Sequence, residues 1–284
     1  MQRLTGVDPS QRQAGGDRPE SGAAAIVLAG DRQRPDAVAT AADTPCKAMA
    51  PVAGRPMVER VSDALWASGW IDQALLCGPP REMLSASPTI ERSLSDGWLA
   101  WLPEASSPAA GALAGLDTLN RPRSVLVTTG DHALLTPEMV SGFMAQATRQ
   151  PWDAAVAVVP RQLITACYAD AHPTATRLRD GPICSCNLFA LLSPRGRALV
   201  ERWRHVEQHR KHPIRTVAAA VGIRSLRDYM MGRLTLSMAL ERLSQRLGVT
   251  VGAVVLPYAA AGLDVDTVAD WRLASTIAEG RPSA

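Results

Sequence analysis

The sequence has no long hydrophobic run. No stretch approaches the roughly 20 apolar residues that a membrane-spanning helix requires. The N-terminal segment MQRLTGVDPSQRQAGGDRPESG also lacks the apolar core of a secretory signal. Both absences lead to the expectation of a soluble, cytoplasmic chain with no membrane span. Aromatic residues make up only 4% of the sequence, and none is interleaved with a basic run. The formal charge is a slight +3, from 30 Lys+Arg against 27 Asp+Glu. A nucleic-acid partner is not expected without a basic patch or stacking aromatics. The five cysteines, Cys46, Cys77, Cys167, Cys184 and Cys186, are odd in number and scattered, which is no disulfide framework. Cys184-x-Cys186 is the one close pair. It lacks a second pair at zinc-binding spacing and reads as two small buried residues. No internal repeat is visible.

What is present suits one large α/β domain. With 284 residues and 46% hydrophobic content the chain can bury a substantial core. Residues 1–22 are polar and without periodicity, and are expected to be a disordered tail. From residue 23 short apolar runs alternate with longer amphipathic stretches. Strands are predicted over 24–28, 73–76, 99–102, 124–128, 154–159, 186–191 and 251–256, with helices over 56–68, 111–119, 137–148 and 193–209. Strands separated by helices of this length predict a mainly parallel sheet covered on both faces. Thr136-Pro137-Glu138 reads as a helix start, with an N-cap, a proline at the first position and an acidic first turn. Residues 193–247 read as a helical insertion before the last strand.

In a parallel sheet ligands sit at the carboxyl ends of the strands, and four groups of residues fall there. The first follows the apolar run Ala24–Leu28. Leu28, Ala29 and Gly30 offer backbone amides to phosphate oxygens; Arg32 or Arg34 would clamp phosphates, and Lys47 would neutralise charge growing on an α-phosphate. The second is Thr129-Gly130-Asp131-His132. Asp131, held by the Gly130 turn just beyond a buried strand, is placed for Mg²⁺ or acts as a turn residue, and His132 either contacts an acceptor or is a structural residue of the turn. The third is Leu263-Asp264-Val265-Asp266-Thr267. Extended backbone puts both carboxylates on one face, one completing the metal site and the other capping the last helix. The fourth is the small-residue stretch containing Ser107 and Gly111. It either lets a base or ribose lie on the backbone or packs a helix closely on the sheet. Asn187 and, in a basic second half, Lys211 are candidate contacts to an acceptor phosphate.

Taken together, Ile26-Val-Leu-Ala-Gly30, an arginine, and Lys47-Ala-Met-Ala-Pro-Val-Ala-Gly-Arg-Pro56 resemble the opening of the MobA-like NTP-transferase superfamily. That superfamily includes molybdenum-cofactor guanylyltransferases and sugar-phosphate nucleotidyltransferases. Thr129–Pro137 is similar to its metal-binding Asp segment, and Asp264-Val-Asp-Thr-Val-Ala-Asp270 to the close of its domain. The resemblance implies a Rossmann-like, glycosyltransferase-A-type α/β fold over residues 23–284, with a mostly parallel mixed sheet. It also implies transfer of an NMP group from an NTP to a phosphorylated small molecule with release of pyrophosphate. Lys47 and a loop arginine would stabilise the transition state; Asp131 with Asp264 or Asp266 would hold Mg²⁺. The chain departs from the family's Gly-rich loop, since Asp31 follows Gly30 and about a dozen residues separate Arg34 from Lys47. Cys46 stands where the pattern commonly has proline. A metal-dependent glycosyltransferase using Asp264-Val265-Asp266, or a non-catalytic nucleotide-binding protein, would use the same scaffold.

Overall fold

The run Ala23–Leu28 is apolar throughout because, in the computed structural model of the chain, it forms a central strand, β1, buried on both faces. Residues 22–31, 35–120, 122–208 and 222–280 are described. Ala23, Ala25 and Val27 face one core, Ala24 and Ile26 the other, as the period of a strand requires. After β1 come α1 (Ala37–Ala41), a 3-10 turn (Lys47–Met49) and a ribbon of β2 (Pro51–Val52) and β3 (Arg55–Pro56). Helix α2 (Met57–Ala67) leads to β4 (Ile71–Gly78), and α3 (Arg81–Leu84) and α4 (Pro88–Ser95) lead to β5 (Leu99–Pro103). Next are α5 (Pro108–Thr118), β6 (Ser124–Thr129), α6 (Pro137–Thr148), β7 (Ala154–Pro160) and α7 (Arg161–Cys167). The hairpin β8 (Thr176–Leu178) and β9 (Gly181–Leu191) precedes α8 (Arg197–Gln208), α9 (Ile223–Met230) and α10 (Leu236–Leu247). Strand β10 (Val251–Val255) and α11 (Val268–Ala278) close the described chain.

The sheet runs β10-β7-β9-β6-β1-β4-β5, with β8 paired to β9 alone. Strands β1, β4, β5, β6, β7 and β10 point one way, and β9 runs against β6 and β7. The chain winds outwards from β1 through β4 to β5 and returns on the other side of β1 as β6. The switch point therefore lies between β1 and β6, whose carboxyl ends open into one crevice. Val58, Val61 and Leu65 of α2, with Val140, Phe143 and Met144 of α6, cover one face. Ala112 and Leu113 of α5, with Val200 and Trp203 of α8, cover the other. Among the described residues no helix is long and apolar enough to cross a membrane.

Each expected strand is present, and the sheet is the mostly parallel mixed one that the sequence predicts. The helix expected from Gly111 starts earlier, at Pro108, because the Ser107 hydroxyl accepts the Ala110 N–H at 3.2 Å. Thr136 caps α6, with Pro137 at its first position, as predicted. Within residues 193–247, α8 packs against α5 and shares its apolar cluster. Helices α9 and α10 are joined by Asp228, which accepts from Arg242 Nη2 at 2.6 Å.

The lengthened first loop is structured where it is described. Asp36 accepts the Val38 and Ala39 N–H groups at 2.8 and 3.0 Å and so starts α1. Val38 then packs with Ala274 of α11 in a third apolar cluster beneath the crevice. This half of the loop is a docked helix.

Asp153, at the start of β7, staples that strand to its neighbours. It accepts from Ser193 Oγ at 2.6 Å and from the Thr250 N–H at 2.8 Å, with Arg195 3.7 Å away. The Ser193 bond first, then Thr250, hold its carboxyl below the usual carboxylate range. A depressed value stabilises the fold above the unfolded pKa of about 4, and that contribution is lost as pH falls through the folded value. Asp153→Ala is expected to cost about 2–3 kcal/mol at pH 7. Equilibrium urea unfolding checks it, and the gap between variant and wild type should shrink only below about pH 4.

Candidate active site

Strand β1 ends against two neighbours. Ala29 donates its N–H to the Cys77 carbonyl at 2.7 Å, and Gly130 donates to the Leu28 carbonyl at 2.8 Å. A Cβ on Gly130 would lie 2.7 Å from Ala29 Cβ, so the glycine allows the loops after β1 and β6 to touch. Gly130→Ala is expected to cost about 1–3 kcal/mol through overpacking, read as a lowered melting temperature. Gly30 is exposed, and a Cβ there would meet Glu104 at 3.2 Å. Leu28 is half-buried at the rim.

The two ends of the first loop meet. Asp31, where the family pattern has glycine, accepts the Lys47 N–H with both carboxylate oxygens at 3.3 Å. Lys47 opens the 3-10 turn, whose bonds are Met49 N–H to the Cys46 carbonyl and Ala50 N–H to the Lys47 carbonyl. From there the Lys47 side chain crosses the crevice. Its Nζ donates to Asp131 Oδ2 at 2.7 Å and to Asp266 Oδ1 at 3.3 Å. Burial works to lower the lysine pKa, but the attraction of Asp131 and Asp266 outweighs it and the net shift is upward. Lys47 is a cation at any physiological pH.

Asp264 and Asp266 flank Val265, which is buried and donates its N–H to the Asp131 carbonyl at 3.1 Å. That bond fixes the segment to the Asp131 loop and turns both carboxylates to the crevice, as alternation predicts. Burial first, then repulsion from Asp266 and Asp131, push the Asp264 carboxyl up to about 6. Asn187 Nδ2 donates to Asp264 Oδ2 at 2.9 Å and works in the opposite direction. Neither aspartate caps the final helix: Thr267 is the N-cap, in a reciprocal capping box with Asp270.

Several expected contacts lie elsewhere. His132 does not face an acceptor. It is only 1% exposed, turned into the core, and burial lowers its pKa to about 4, so the ring is neutral. Gly111 packs α5 on the sheet, since a Cβ there would lie 3.2 Å from Leu28 Cδ2. The Ser107 hydroxyl accepts the capping bond, which leaves its O–H as a donor at the start of α5. Cys184 and Cys186 are buried free thiols, with Cys186 pushed up to about 12 by desolvation, which fits two core residues. Arg32, Arg34 and Lys211 lie outside the described residues.

Other contributors carried no readable signal. Glu207 of α8 accepts the Ala109 N–H at the start of α5 at 3.2 Å, across 98 positions of sequence. Arg60 of α2 donates to the Ala133 carbonyl at 2.7 Å and braces the Asp131 loop. The Ala53-Gly54 turn has φ 50° and 74°, a two-residue type I′ hairpin turn between β2 and β3. Only its Gly-Arg-Pro outline was visible in sequence, as part of a motif.

The donor set suits a hard divalent cation. It consists of carboxylate oxygens, and Asp131 Oδ1 is buried with no hydrogen-bond partner. Among the described residues no three acidic, histidine or cysteine side chains are already gathered as a complete ligand set.

Residues 25–219, well over half of the chain, match the MobA-like NTP transferase domain. A hypothetical transferase from Thermus thermophilus is similar at 31% identity and TM-score 0.72, covering 87% of this chain and 98% of that one. The CMP:2-keto-3-deoxy-manno-octonic acid synthetase solved with CTP shares the fold at 11% identity and TM-score 0.56, over 91% and 98% of the two chains. So does 4-diphosphocytidyl-2C-methyl-D-erythritol synthase from Anaerococcus prevotii, at 14% and 0.55, over 91% and 97%. Comparison with curated proteins gave no match. The chain belongs to the MobA-like NTP transferase family.

Proposed function

We propose that the protein is a Mg²⁺-dependent nucleotidyltransferase that moves an NMP group from an NTP to a phosphorylated small molecule. The observation that carries this reading is the convergence of Lys47, Asp131 and Asp266 at the β1/β6 switch point. The CTP-bound synthetase of the same fold supports it. An oxygen of the acceptor phosphate attacks the α-phosphorus, the bond to the bridging oxygen breaks, and pyrophosphate leaves with that electron pair. The protein has little covalent chemistry to do, so positioning and charge stabilisation lower the barrier.

Exposed Gly30 lets the triphosphate approach the backbone at the end of β1. Lys47, tethered through its own N–H to Asp31, supplies positive charge to the α-phosphate. Asp131 with Asp264 or Asp266 would hold Mg²⁺, which when bound neutralises phosphate charge and orients the leaving group. His132, neutral and enclosed, moves no proton in the reaction.

Incubation with each NTP and Mg²⁺ against a panel of phosphorylated sugars, alcohols and cofactors tests the proposal, with pyrophosphate release as the readout. At least one pairing should turn over. Preference for an NDP-sugar over every free NTP would instead support the glycosyltransferase use of Asp264-Val265-Asp266.

A further inference from the structure

We infer that Asn187 is a positioning residue, held in a bulge of β9 to fix the Asp264 carboxylate for a divalent cation. The inference rests on the nucleotidyltransferase reading, which puts that cation on Asp131 with Asp264 or Asp266, and it takes Asp264 as the second ligand. Strand β9 pairs Phe189 with Val156 and next pairs Ser185 with Val158, so three residues of β9 stand against Ala157 alone. Asn187 is the middle one of the three, and its φ of 49° lies in the left-handed region. A residue other than glycine is uncommon there, and asparagine is among the few that tolerate it. Cys186 and Leu188 on either side are anchored in the core at 1% and 0% exposure, so the backbone between them is held in this shape.

Bulges beside active sites re-aim a side chain, and this one aims an amide at a carboxylate. Asn187 Nδ2 reaches Asp264 Oδ2 at 2.9 Å, and the bond joins residues 77 positions apart. The chemistry of the donor matters. An ammonium or guanidinium here would orient Asp264 equally well but would neutralise the cluster and compete with an incoming cation. A neutral amide fixes one carboxylate oxygen and leaves the negative charge, and the other oxygen, for the metal. Partners that orient a ligating carboxylate typically change metal affinity 10–100-fold when removed.

Asn187→Gly separates this role from a backbone one. Glycine takes φ 49° freely, so the bulge survives while the amide is deleted. Mn²⁺ binding is measured by electron paramagnetic resonance, alone and with each NTP, for wild type, Asn187→Gly, Asn187→Ala and Asp131→Asn. Asn187→Gly and Asn187→Ala should both weaken Mn²⁺ binding about 10–100-fold, with the melting temperature of the glycine variant close to wild type. Wild-type affinity in Asn187→Gly, with loss only in the strained alanine variant, would overturn the inference and leave a structural role. Wild type that takes up no Mn²⁺, or Asp131→Asn that binds as tightly as wild type, would overturn the cation site itself and the inference with it.

Discussion

Lys47→Ala is expected to lower nucleotidyl transfer about 10²–10³-fold, the loss typical of one preorganised charge or donor at a transition state. Lys47 is the only lysine among the described residues, and its Nζ already spans the crevice between Asp131 and Asp266. Removing it affects two equilibria in opposite directions. The α-phosphate loses its positive partner, so turnover and NTP affinity fall. The carboxylates lose a competing cation, so Mn²⁺ binding without nucleotide should tighten. Pyrophosphate release and a Mn²⁺ titration on the same preparation read both effects. A role confined to stabilising the fold would lower the melting temperature and leave Mn²⁺ affinity where it was.

Asp131→Asn is expected to abolish Mg²⁺-dependent NTP binding and reduce turnover by at least about 10³-fold, since several kcal/mol of charge stabilisation depend on the cation. Asp131 follows directly on the Gly130 close contact with β1, its carbonyl accepts the Val265 N–H, and its Oδ2 holds Lys47. The substitution keeps the size of the side chain and removes one charge from a set of three mutually repelling carboxylates. Lys47 keeps Asp266 as a partner and Asp264 loses one repelling charge, so stability should change little while activity is lost. Thermal melting beside the turnover assay checks this. A variant that unfolds at lower temperature would mean that the Asp131–Lys47 pair is a structural brace.

The parts of the molecule built on local periodicity were legible in the sequence. The run Ala23–Leu28 announces a doubly buried strand, and Thr136-Pro137-Glu138 announces the start of α6. The order of the three motifs announces the family, because each motif sits at the carboxyl end of a strand where ligands bind. What was hidden depends on contacts between distant residues. Helix α1 is five residues long, too short for a periodic signal, and it exists because Asp36 caps it and Val38 docks on α11. The reversed direction of β9 and the bulge at Asn187 are pairing choices that a single strand does not display. His132 reads as a polar residue beside a candidate metal-ligating aspartate, yet the turn after β6 points it inward. Asp266 reads as a helix cap, but the next residue, Thr267, has its partner Asp270 three positions on and takes that role. Asp31 looked like a defect in a glycine-rich loop; its carboxylate joins the two ends of that loop at Lys47.

The most direct test of the nucleotidyltransferase assignment is calorimetric titration of the protein with each NTP in the presence of Mg²⁺, repeated on Lys47→Ala and Asp131→Asn. The predicted result is Mg²⁺-dependent binding of at least one NTP by wild type and loss of that binding in both variants. Absence of binding for every NTP, or binding that survives both substitutions unchanged, would contradict it.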